Sequence, residues 1–283
     1  MEVRRLLVDD GSQDTRHLDR LADALHHRDV LLKCKVANAL GSICTSRVAG
    51  QRLLETHGER MLPSLARMAT SKNTWAQADA FFVFGWVAVI GADTLVHEQL
   101  TRFVGTAIKL VQRNVLTKTE LEEQDANLRI YCLVFLLNMG QRDIAMLRAE
   151  VEKLFQMLHA LVTQLVESLA AICAQSRGAG DEEDEATGEK VAEHMEIVRL
   201  AVTLLSTVIL EVEEAPSIVL SLEMLPGVLK LEQTIQTQTD EVSNSEDGQD
   251  DKEEEEEEEE VASVRQELLE RIRIIKNAVL TQR

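Results

Sequence analysis

The residues best equipped for chemistry are seven histidines, four cysteines and a set of regularly spaced cations. His26 and His27 adjoin, but neighbouring residues of a helix point to different faces and cannot converge on one ion or proton. His17, His57, His97, His159 and His194 stand singly, with no cysteine or carboxylate at a ligand spacing, and read as surface or capping residues. Cys34, Cys44, Cys132 and Cys173 are far apart, and no pair has the CxxC spacing. Each lies in an apolar stretch, where a free thiol packs as a small hydrophobe. That pattern argues against a disulfide framework or a zinc site and fits a reducing compartment. Glycine-rich phosphate loops, a G-x-S-x-G elbow and a Cys–His pair are all missing from the sequence. The chain therefore reads as non-enzymatic: no catalytic residue, no cofactor, no metal ligand and no small-molecule substrate is expected.

Binding residues are easier to name. On one helical pattern Leu62, Leu65, Met68 and Ala69 face inward, leaving Arg60, Ser64, Arg67 and Ser71 opposite. On another, Leu100, Phe103, Val104, Ala107 and Val111 face inward, leaving Arg102, Thr106, Lys109 and Arg113. Cations seven residues apart are two helical turns apart and lie roughly in line. Such a strip is either an ordinary solvated face or a reader of acidic ligand. Phe81, Phe82, Phe84 and Trp86 form an apolar cluster expected in the core. Trp75, beside Lys72 and Asn73 at a helix start, is the exposed aromatic and the candidate interface anchor.

These residues need elements to hold them. The 283-residue chain is 45 % hydrophobic but only 3 % aromatic, with three prolines. That suits helices rather than strands and their turns. Apolar residues at three- and four-residue spacing recur throughout. Separate helices are expected over 50–55 and 61–69, divided by Thr56-His57-Gly58 as a stop. One uninterrupted helix is expected over 144–175.

The net charge of −19 is concentrated. Residues 181–185 contribute −5, and residues 240–260, with fourteen acidic residues and one lysine, contribute −13. Everything else stands near −1. Like-charged runs repel themselves and are expected to be disordered, as solvated linkers or as an arm for a basic surface. A near-neutral body with few stacking aromatics makes nucleic acid a poor partner. The N-terminal apolar run is too short for a signal peptide, and Asp9, Asp10 and Asp14 do not suit a presequence. The longest uncharged apolar run, 80–92, is too short to cross a bilayer. A cytoplasmic protein without a membrane span is expected, with the nucleus open to it.

Self-similarity is the strongest architectural signal. Met61-Leu-Pro-Ser-Leu-Ala-Arg-Met68 recurs as Met224-Leu-Pro-Gly-Val-Leu-Lys-Leu231, and each follows a helix with serine at a matching offset, Ser42 and Ser206. Trp86 and Asn138 fall into the same slot. The chain resembles the armadillo-repeat family, whose unit runs V-x-x-A-x-x-A-L-x-x-L, a glycine turn, then L-P-x-L-x-x-L. Asp29, Val36, Ala39, Leu40, Ile43, Gly58 and Leu62-Pro63-Ser64-Leu65 match in order, and the likeness extends over roughly 15–236. The second unit carries phenylalanines in place of small residues, and the third lacks the proline motif. Related HEAT repeats fit nearly as well, and an irregular helical bundle is the plain alternative.

The resemblance implies an all-α, right-handed α–α superhelix of armadillo/HEAT-like repeats with disordered acidic inserts. The repeat domain would span 1–239 with an acidic loop near 176–190, followed by an acidic linker over 240–260. An amphipathic helix over 261–283 would cap the last repeat or act as a tethered or coiled-coil segment. In such stacks the cationic helices line the concave groove, so Arg60, Arg67, Arg102, Lys109 and Arg113, with Trp75, become candidate partner-binding residues. The acidic arm could itself occupy that strip. The Trp-x-x-x-Asn pairs of nuclear import adaptors are not found. The function expected is a protein-binding scaffold or adaptor. The alternatives are a chaperone-type regulator, such as an Hsp70 nucleotide-exchange factor, and an acidic chaperone for basic proteins.

Overall fold

A computed structural model describes residues 16–91, 94–117, 122–176, 185–242 and 252–281, and among these there is no strand. The N-terminal segment 1–15, residues 181–184 of the first acidic insert and residues 243–251 of the second lie outside the described residues. The chain divides into two compact units, Met1–Asn114 with Lys118–Leu147, and Val115–Thr117 with Arg148–Arg283.

The first unit holds α1 (Arg16–Ala24), α2 (Val30–Cys44), α3 (Arg47–Ala69), α4 (Thr74–Ile90), α5 (Thr94–Thr101), most of α6 (Val104–Thr117) and α7 (Glu123–Arg142). Helix α4 is apolar on nearly every face and packs against α2, α3 and α7. Phe81 and Phe84 from α4 meet Phe135 from α7 with ring centroids 5.3 and 6.2 Å apart, and Phe103 stacks 4.9 Å from Phe84. Phe81 and Phe84 are core, as expected, whereas Phe82 and Trp86 are half-buried. Burying each such ring stabilises the unit by about 1.5–3 kcal/mol. Gly41 lets α2 come close to α4, since a Cβ there would stand 2.3 Å from the Phe82 ring.

Two expected helix boundaries are corrected. Helix α3 runs unbroken through Thr56, His57, Gly58 and Pro63. Its buried stripe (Leu53, His57, Met61, Leu65, Met68) never changes phase, because His57 occupies a core position. Pro63 points to solvent, where water can satisfy the carbonyl it leaves unbonded. The expected 144–175 helix is broken into α8 (Ala145–Arg148) and α9 (Val151–Ser176). Asp143 Oδ1 accepts from Ala145 N at 2.9 Å, and Leu147 folds back over Gly140, where a Cβ would lie 2.7 Å from its Cδ1. One apolar stripe in the sequence thus feeds two cores, Leu147 the first and Val151 onward the second.

The second unit comprises α9, α10 (Glu185–Glu211), α11 (Ala215–Ser221), α12 (Met224–Val242) and α13 (Lys252–Leu280). Helix α9 packs on α10 and α12, and α13 packs on the same two, closing a ring of four with α11 against it. Among the described residues one helix, Val151–Ile172, is long and apolar enough to cross a membrane. Its stripe Leu154, Leu158, Leu161, Leu165 and Leu169 is buried in the unit.

The C-terminal segment is therefore a packed element. Leu268, Ile272, Ile275 and Val279 are fully buried, and Lys276 Nζ bridges both Glu232 oxygens at 2.9 and 2.8 Å. The disorder expected over 240–260 is also corrected in part. Helix α12 continues to Val242 and α13 starts at Lys252, so 240–242 and 252–260 are helical. Glutamate is a good helix former, and its charge suits the positive end of the helix dipole.

Candidate functional site

Two helices of the first unit begin side by side. Asp29 caps α2, its Oδ1 accepting from Leu31 N at 2.9 Å and from Leu32 N at 3.4 Å. Asn73 caps α4, its Oδ1 accepting from Ala76 N at 2.8 Å. Capping satisfies backbone donors that a helix start leaves open and fixes where each helix begins. Between the two starts lies a cleft of about 780 Å³.

Its rim is apolar. Leu31 is 67 % exposed, and Val30 and Trp75 are each 39 % exposed. With Leu32 they leave three consecutive aliphatic residues at one helix start facing water. Runs of this kind in a folded chain mark contact surfaces.

The floor is polar. Asp79, one turn beyond Trp75 on the same face of α4, is only 8 % exposed and bonds to Cys34 and Asn38 of α2. Burial pushes its carboxyl above the ordinary value, opposed by those two hydrogen bonds and by the charge of Lys35. The Cys34 thiol is pushed up to about 12, first by burial and then by its bond to Asp79. Tyr131 of α7 is raised by burial, then by Asp79 and Glu123. A mostly apolar cleft with a few convergent polar groups is the usual form of a binding site.

Of the six residues expected to bind a partner, Trp75 alone lines this cleft. Arg60 is held by Asp19, with Nη1 to Oδ1 at 3.2 Å, and by Asp23, both from α1. Its charge is already matched within the unit. Arg67 is exposed and donates to Ser64 Oγ at 2.9 Å. Ser64, expected on the solvent face, is instead buried, with its Oγ 3.1 Å from His26 Nε2. Arg102, Lys109 and Arg113 are exposed, opposite the buried Leu100, Val104, Ala107 and Val111 as expected. The cations are not gathered into the cleft.

Sequence reasoning missed Val30, Leu31, Asn38 and Asp79. Two signals could have found them: three aliphatics directly after a capping aspartate, and Trp75-x-x-x-Asp79, a spacing that stacks two side chains on one helix face.

Two further polar clusters are structural in form. His57 is buried, not at the surface, with Nε2 3.1 Å from Asp19 Oδ1 and Nδ1 2.6 Å from Thr56 Oγ1. The Thr56 hydroxyl donates to the Arg52 carbonyl at 2.7 Å, so its proton is committed to the helix backbone. Deeper still, Asn114 Nδ2 donates to Asp125 Oδ1 and Arg129 Nε to Asn114 Oδ1, both at 2.6 Å, tying α6 to α7. Burial pushes Arg129 down to about 10, and the neighbouring Asp125 charge opposes that. Among the described residues no group of three or more His, Cys, Asp or Glu is disposed to hold a metal ion.

No protein-family model matches the chain, and no curated protein matches it. Among solved structures, the crystal structure of an engineered protein from the Northeast Structural Genomics Consortium is similar over 92 % of this chain and 97 % of its own, at 15 % identity and a TM-score of 0.51. A second engineered protein from that consortium covers 90 % of this chain and 98 % of its own, at 17 % identity and a TM-score of 0.49. The first likeness concerns the helical fold alone.

Proposed function

We propose that this chain is a non-enzymatic adaptor that holds a segment of a protein partner in the cleft between the starts of α2 and α4. The observation that carries this is the exposed aliphatic pair Val30 and Leu31 lining a cleft with the exposed Trp75. Exposed aromatic and aliphatic side chains around a concavity are what a partner's hot-spot residues bury.

An armadillo/HEAT-type repeat architecture is part of the same proposal. Its support is the packing of helices three apart in order: α4 on α7, α9 on α12 and α10 on α13. A three-helix repeat stacked on its neighbour has that period. The slot residues agree locally, since Asn138 of α7 donates to the carbonyl of Gly85, next to Trp86 of α4, at 3.0 Å.

The test places a photo-crosslinking amino acid at position 31 of the full chain and, separately, at the exposed Leu210 of α10 as a control. Crosslinks to the same protein from position 31 alone, abolished by Trp75→Asp, are expected. Equal products from both positions, or none that depend on Trp75, would reject the cleft as the docking site.

A further inference from the structure

Resting on that reading, we propose that the cleft selects a basic side chain: the partner segment carries a lysine or arginine flanked by aliphatic residues, with its cation placed on Asp79 against the Trp75 ring.

The charge distribution leads there. Asp79 is buried at the floor of an open cleft, and among the described residues no lysine or arginine comes within ion-pair distance of it. Buried carboxylates are ordinarily paired, because withdrawal from water costs far more than two neutral hydrogen bonds return. Asp79 has those two neutral bonds, from Cys34 and Asn38, and no counter-ion in contact among the described residues. Lys35 is the cation on the cleft wall, and it is exposed, so water screens it. Asp79 is shielded from water, so a cation that reaches the floor interacts with its carboxyl with little screening.

Trp75 adds a second attraction for the same ligand. It lies four residues before Asp79 on the same helix and lines the same cleft. A cation over an indole face is attracted by the ring quadrupole, and more strongly once desolvated. The aliphatic stem of lysine or arginine, and the residues flanking it, match Val30 and Leu31. An acidic segment would bring like charge onto a carboxylate that already lacks a counter-ion. A wholly apolar one would seal that carboxylate in without a counter-ion.

The experiment selects phage-displayed random dodecapeptides on the immobilised full chain. The enriched peptides are then titrated by fluorescence anisotropy against wild type, Asp79→Asn, Trp75→Leu and Lys35→Gln, each checked by thermal melting. Enrichment of lysine or arginine between aliphatic residues is expected. Asp79→Asn lowers affinity about tenfold, the equivalent of about 1.4 kcal/mol. Trp75→Leu lowers it several-fold, and Lys35→Gln raises it by about two- to threefold by removing a like charge. Replacing the peptide's arginine by uncharged citrulline costs the same factor on wild type and almost nothing on Asp79→Asn. Peptides that need Trp75 but carry no cation would overturn the basic selection and leave the docking cleft standing. A citrulline penalty undiminished on Asp79→Asn would also overturn it. Absence of any Trp75-dependent peptide would reject both.

Discussion

Asp79 gives the cleft its chemistry at a cost to the fold. Its carboxyl is raised in the native state, so the folded chain holds that proton more tightly than the unfolded one does. The stability linked to this group is fully present below its unfolded value and is lost as pH rises through the raised folded value. Its surroundings are Cys34, Asn38 and Lys35 from α2 and Tyr131 from α7. Asparagine keeps the shape and cannot ionise. Asp79→Asn is therefore expected to melt higher than wild type at neutral pH, with the difference shrinking as pH falls below the carboxylate range. Thermal melts across that range check it; a variant less stable at every pH would show that the hydrogen-bond pattern, not the charge, governs the position. The thiols extend the residue-level case. Burial pushes Cys34 and Cys44 up to about 12 and raises Cys132 well above the thiol range. All three are expected to resist iodoacetamide near pH 8 in the native chain and to react once it is unfolded, as read by peptide mass spectrometry. Sequence alone placed the cysteines in apolar helices correctly. It could not rank Asp79, because a single carboxylate in an apolar helix normally marks the solvent side.

Apolar periodicity was enough to reveal where helices exist, and not enough to say where they end. Thr56-His57-Gly58 reads as a stop only if histidine is assigned to the surface. In the fold His57 carries the stripe through, satisfied by Asp19 and Thr56. The 144–175 stripe fails in the opposite direction, since a capped turn at Asp143 divides it without interrupting its period. Specific polar ties also decide how helices are held, and these have no periodic signature. The Asn114–Asp125–Arg129 network is one, with Asp125 1 % and Arg129 2 % exposed. Removing one side of a buried charge cluster strands the other. Arg129→Met is expected to destabilise the chain by about 3–5 kcal/mol. The double variant Asp125→Leu with Arg129→Met should recover a large part of that loss, since nothing charged is left behind. Denaturant unfolding of the two singles and the double forms the cycle; additive losses would mean that the two charges do not sustain each other.

Composition and repeat signals made the all-helical class legible across the whole molecule, but not its division into two units, because the continuous stripe conceals the change of core after Leu147. The net charge of −19 concealed something similar. It suggests an acidic protein, whereas most of it lies in two short tracts, and the second tract leads into a helix that the fold requires. Helix α13 closes the four-helix ring of the second unit with four fully buried aliphatics and the Lys276–Glu232 bridge. Deleting 252–283 would expose the inner faces of α10 and α12 to water. Both tryptophans, Trp75 and Trp86, belong to the first unit, so indole fluorescence follows that unit while far-ultraviolet circular dichroism follows every helix. The truncated chain is expected to lose helical signal at a lower temperature, while its fluorescence transition stays where the full chain has it. A truncation that lowers the fluorescence midpoint as far as the dichroism midpoint would mean that the two units unfold as one cooperative body, and that α13 supports the Trp75 cleft through the rest of the chain.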